Sequence, residues 1–123
     1  DALPIYDTNP VDYPDIAVLV AESVAHNGYR GIMIDGAGIG STMVANKVPG
    51  VRCALCWDIS SVINSRDHNN ANMLAFGGQM IGEGLAKNMV KTWLETPFSG
   101  GRHERRVTKI MEIESRYIKS YRL

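Results

Sequence analysis

Apolar positions along the chain form two alternating kinds of run, and together they predict helices alternating with strands. From Asp15 to Ala25, residues Ile16, Leu19, Val20, Ser23 and Val24 lie nearly on one helical face, and Asn27-Gly28 supplies a C-terminal stop. Gly31-Ile-Met-Ile34 is short and wholly apolar, the pattern of a strand covered by helices on both faces. A glycine-rich turn, Asp35-Gly-Ala-Gly-Ile-Gly40, follows, and Ser41 to Lys47 can continue as a helix. The unit then repeats as strand 51–56, helix about 59–67, strand Met73-Leu-Ala-Phe76 and helix about 82–95. Alternation at this length predicts a three-layer α/β fold with a parallel sheet and right-handed crossovers.

The two ends read differently. Pro4, Pro10 and Pro14 predict a loop over the opening residues. Beyond Thr96-Pro97 and Ser99-Gly-Gly101, a last helix over about 101–121 carries Val107, Ile110, Met111, Glu114, Tyr117, Ile118 and Tyr121 at the 3.6-residue period. That helix is long for a domain of this size, so a subunit interface is the expected place for its apolar stripe.

Length and composition narrow the class. A chain of 123 residues is expected to form one domain over 1–123 around one core. Its 13 basic and 13 acidic side chains cancel, which gives no electrostatic reason to expect a nucleic acid or an anionic membrane as partner. The basic side chains of the last helix, Arg102, Arg105, Arg106, Lys109, Arg116 and Arg122, accompany no nucleic-acid recognition motif. No apolar run approaches the roughly 18 residues that span a bilayer, and the start DALPIYDTNP lacks the regions of a signal peptide. A cytoplasmic enzyme is the expectation, and the opening Asp1 suggests a chain that begins inside a longer product. Cys53 and Cys56 form a C-x-x-C, but on a strand residues three apart face opposite ways, and no second pair completes a zinc site. Two structural thiols and no metal are expected.

Four clusters could carry chemistry. Gly36, Gly38 and Gly40 between strand and helix can bring backbone N–H groups to an oxyanion, or simply allow a sharp turn. Their G-x-G-x-G spacing does not match the dinucleotide fingerprint. Asp35 ends an apolar strand, where open α/β sheets bind ligands, and is either a general base or a cap of the next turn. His68, within Ser65-Arg-Asp-His-Asn-Asn-Ala-Asn72, is either a proton carrier or a solvated loop residue. Arg102 and Arg106 sit four apart at a helix start, suited to a phosphate or else to a solvated basic turn. Together the four describe a site for an anionic substrate that undergoes proton transfer.

The stretches Asp12-Tyr-Pro14, GIMIDGAGIGSTMVANK, VPGVRCAL, SRDHNNANMLAFGGQMIG and GGRHERR resemble the ribose-5-phosphate isomerase B / galactose-6-phosphate isomerase family over about residues 12 to 115. The resemblance implies a doubly wound, Rossmann-like αβα sheet that lacks the family's first strand and helix. It implies an aldose–ketose isomerase acting on ribose 5-phosphate or on a hexose 6-phosphate such as galactose 6-phosphate, through an enediolate and without a cofactor. Asp35 corresponds to the base, which many members supply as cysteine, and Ser41 stands where another branch places a catalytic glutamate. The loop of Gly36, Ala37, Gly38, Ile39 and Gly40 corresponds to an anion hole. His68, with Asn69 beside it, corresponds to the ring-opening residue, and Arg102 and Arg106, with His103, to the phosphate grip. Gln79 replaces an arginine of many members, and the family's N-terminal Asp-His motif has no counterpart. A homodimer or homotetramer, or a hetero-oligomer with a paralogue, is implied. A non-catalytic sugar-phosphate-binding or regulatory subunit is the alternative.

Overall fold

A computed structural model describes residues 11–121 of the protein; the loop expected over residues 1–10 lies outside them. Helix α1, Tyr13–Asn27, starts earlier than expected, because Pro14 belongs to its first turn rather than to a loop. A proline costs nothing there, since first-turn N–H groups have no partner within the helix. Gly28 ends α1 in the left-handed conformation, at φ 69°.

Strand β1, Gly31–Asp35, leads into α2, Ile39–Ala45, and β2, Cys53–Leu55, leads into α3, Ile59–Asp67. Strand β3, Met73–Gly77, is followed by α4, Glu83–Glu95, and by α5, Arg102–Tyr121. The strands form one three-stranded parallel sheet in the order β1-β3-β2, with Gly31 level with Met73 and Asp35 level with Gly77. This order corrects one expectation. The strand covered on both faces is β3, buried at every residue, whereas β1 lies at an edge and leaves Ile34 53% exposed.

Strand alternation divides the core in two. Met73 and Ala75 pack with Ala21 and Val24 of α1, Ala45 of α2 and Cys53. Leu74 and Phe76 face the other way, against Val62 of α3, Met89 and Trp93 of α4, and Cys56. The two cysteines therefore lie in opposite layers as free thiols. Burial pushes the Cys53 thiol up to about 12 and raises that of Cys56, so neither is a ready nucleophile near neutral pH.

The last helix is only partly covered. Val107 is buried, Met111 meets the Arg52 guanidinium at 3.5 Å, and the Glu114 carboxylate accepts from the Gly50 N–H at 3.1 Å. Ile110, Ile113 and Tyr117 are exposed, and the side chain of Tyr121 lies outside the described residues. Between α5 and the edge strand β2 lies a groove of about 860 Å³, with Trp57 and Asn69 among the residues that line it. Among the described residues no helix is long and apolar enough to cross a membrane.

Candidate active site

Parallel strands place all their C-terminal ends along one rim of the sheet, and Asp35 stands on that rim at the end of β1. Backbone bonds pin the turn that follows: Gly78 N–H donates to the Asp35 carbonyl at 2.6 Å and Gln79 N–H to the Gly36 carbonyl at 3.2 Å. Gly38 takes φ 82°, and a Cβ there would lie 2.8 Å from both the Leu55 side chain and the Phe76 carbonyl carbon. Only glycine lets the turn rest directly on β2 and β3. Within the turn, the N–H groups of Gly36, Ala37, Gly38, Ile39 and Gly40 donate to no protein acceptor among the described residues.

The Asp35 carboxylate is held from one side. Ser41, fully buried at the start of α2, donates its hydroxyl to Asp35 Oδ2 at 2.5 Å. Oδ1 is buried and has no partner among the described residues. A buried carboxylate oxygen left unpaired is costly unless a ligand uses it. Ser41 acts on the site through its bond to Asp35.

The other candidates collect at the opposite rim. Helix α3 starts at the C-terminal ends of the strands and runs back, so His68, its C-cap, sits near the starts of β1 and β3. The links of Asn72 to Gly31 N–H and to the Arg52 carbonyl confirm that level. The Ser99 N–H and hydroxyl both donate to the Asp67 carbonyl, at 3.1 and 2.7 Å, and bring the start of α5 alongside. The rings of His68 and His103 stack at 4.1 Å, with Arg102 and Arg106 on the same helical turn as His103. Neither arginine forms an ion pair among the described residues. Partial desolvation first, then His68 and the two arginines, lower the His103 pKa, with Asp67 pulling the other way.

A network fixes the His68 ring. Asn69 Nδ2 donates to Asn64 Oδ1 at 2.8 Å, which leaves the Asn64 amide group to donate to His68 Nδ1 at 3.0 Å. Nε2 then carries the proton of the neutral ring and faces Asp67 Oδ2 at 3.2 Å. Sequence reasoning gave Asn64 and Asp67 no role; the i, i+4 spacing of Asn64 and His68 on a helix was the available signal.

Asp35, Ser41 and the amide-lined turn thus form one half-site, and His68, Asn69, Arg102, His103 and Arg106 form another. Strand β1 separates them by ~13 Å of extended chain. An open parallel α/β sheet carrying a carboxylate with free amides at one rim, and paired histidines with arginines at the other, has the groups that an enzyme for anionic, proton-transferring substrates would need. A sequence profile described as Ribose/Galactose Isomerase matches residues 3–110. The chain is 42% identical over 112 residues to ribose-5-phosphate isomerase B of Escherichia coli, covering 90% of this chain and 75% of that protein. It is 43% identical to a D-erythrulose-4-phosphate isomerase of Pectobacterium atrosepticum, covering 83% of this chain and 67% of that one. The structure of ribose-5-phosphate isomerase B from Clostridium thermocellum superposes with a TM-score of 0.88 at 47% identity, covering 93% of this chain and 78% of that one. The chain belongs to the ribose/galactose isomerase family, and its class is that of the sugar-phosphate isomerases, which interconvert aldoses and ketoses.

Proposed function

We propose that the chain interconverts ribose 5-phosphate and ribulose 5-phosphate through an enediolate, in a site shared by two copies. The observation that carries the chemistry is the Asp35 carboxylate, anchored through Oδ2 by Ser41, with Oδ1 buried and unpaired beside a turn of free backbone amides. Oδ1 takes the proton from C2 of the open-chain aldose, and the turn amides stabilise the resulting oxyanion. Return of the proton to C1, with the hydroxyl proton passing from O2 to O1, completes the ketose. His68, with its proton on Nε2, serves ring opening, and Arg102 and Arg106 hold the phosphate.

The ~13 Å of strand between the two half-sites supports assembly from two copies, because one small sugar phosphate cannot reach both within a chain. The exposed Ile110, Ile113 and Tyr117 of α5 and the groove along β2 offer the surface on which a second copy would dock. The name of the Escherichia coli relative supports a pentose over a hexose phosphate.

The test is isomerisation of ribose 5-phosphate by the parent protein and by Asp35→Asn. That substitution keeps size and hydrogen bonding but loses the base, so kcat should fall by about 10²- to 10⁴-fold. Calorimetric affinity for the sugar phosphate should survive. A variant that isomerises at the parent rate would remove Asp35 as the base.

A further inference from the structure

We infer that Tyr13 is a further catalytic residue of the Asp35 half-site, its phenol hydroxyl hydrogen-bonding an oxygen of the enediolate. The inference rests on the isomerase function proposed above and adds a side-chain donor to it.

Tyr13 is the first residue of α1, and its ring is brought to the turn by packing of α1 against α2. The turn has a covered back and two open flanks. Gly38 seals the back against Leu55 and Phe76. At one flank, the Gln79 amide lies over Gly36, with Oε1 at 3.5 Å from where a Cβ would stand. At the other flank the Tyr13 ring lies on Gly40, so close that a Cβ at Gly40 would collide with the phenol hydroxyl itself. Glycine at position 40 is therefore what lets this hydroxyl reach the backbone. The next residue, Ser41, is the one that holds Asp35.

The hydroxyl is also uncommitted. Tyr13 is 45% exposed, and its O–H has no hydrogen-bond partner among the described residues. A tyrosine placed only for packing needs no hydroxyl against a bare backbone turn, whereas an O–H at that place can donate to the oxyanion the turn amides receive. Its hydrogen bond strengthens as the C1 carbonyl oxygen gains charge on loss of the C2 proton, so the effect belongs in kcat rather than in KM. The start of α1 supports this placement: Pro14 in the first turn and the Asp15 N–H to Asp12 carbonyl bond at 3.1 Å fix the backbone from which the ring extends.

The experiment compares the parent protein with Tyr13→Phe, which keeps the ring on Gly40 and removes only the hydroxyl. With ribose 5-phosphate, kcat should fall on the order of 10²-fold, as for loss of one oxyanion donor, while KM and melting temperature stay at parent values. Affinity for a phosphorylated hydroxamate that mimics the enediolate should fall with kcat. Gly40→Ala, which pushes the ring away, should lower kcat whether or not Tyr13→Phe folds well. An unchanged kcat in Tyr13→Phe overturns the inference and leaves the isomerase function standing, as does a fall in kcat that merely follows a fall in melting temperature. A parent protein that isomerises nothing overturns the function beneath it, and the inference with it.

Discussion

The hydrogen bond between Ser41 and Asp35 joins residues six apart in sequence across the glycine-rich turn. It is the only hydrogen bond the carboxylate side chain makes among the described residues, since Oδ1 has none. Removing the donor leaves a carboxylate with both oxygens unsatisfied next to a fully buried site. Ser41→Ala should therefore destabilise the protein by ~1–3 kcal/mol, the usual cost of stranding a buried polar group, read from the midpoint of urea unfolding. An unchanged midpoint would mean that water replaces the hydroxyl and that Asp35 is less enclosed than its contacts indicate. Asp35 was legible in the sequence because an apolar run ends on it. Ser41 was reached only through the family resemblance, and its part as a donor to Asp35 was not legible, because a serine after G-x-G-x-G reads as well for a solvent-facing first turn as for a buried donor.

At the scale of elements, Arg66 ties α3, α4 and β3 into one unit. It is 3% exposed and lies over the Trp93 ring. Its Nε donates to the Thr96 carbonyl at 3.1 Å, and its Nη1 to the Asn70 side chain at 3.0 Å and the Ala71 carbonyl at 2.6 Å. These acceptors lie at the end of α4 and in the turn that carries His68 and Asn69 towards β3. Arg66→Met keeps length and apolar stem but strands all three acceptors, so a loss of about 3 kcal/mol or more is expected. Chemical denaturation measures it, and a loss below about 1 kcal/mol would show that the turn is held by other bonds. Most elements were legible from periodicity, since long amphipathic runs such as α4 and α5 leave little choice. The edges were less so: α2 begins at Ile39 and not at Ser41, and β2 shrinks to Cys53–Leu55, because backbone pairing with β3 ends where the register does. Arg66 itself read as one more polar residue of a loop cluster, since nothing local marks an arginine as buried.

For the molecule as a whole, strand order is what the chain did not disclose. Periodicity identifies β1, β2 and β3 but not that β3 lies between the others. Nor does it reveal that Asp35 and His68, each at the tip of an element, end on opposite rims of one sheet. In the shared site proposed above, catalysis arises only where the Asp35 rim of one copy meets the His68–Arg102 rim of another. Complementation tests this arrangement. Asp35→Asn and the double variant Arg102→Ala/Arg106→Ala should each be inactive alone. When the two are co-expressed or refolded together in equal amounts, half-sites re-sort, and each mixed dimer holds one site with both Asp35 and the arginines intact. Two-fold symmetry then predicts recovery to about a quarter of parent activity. If the mixture stays as inactive as its components while sedimentation shows mixed dimers, each site is built within one chain and is not shared between copies.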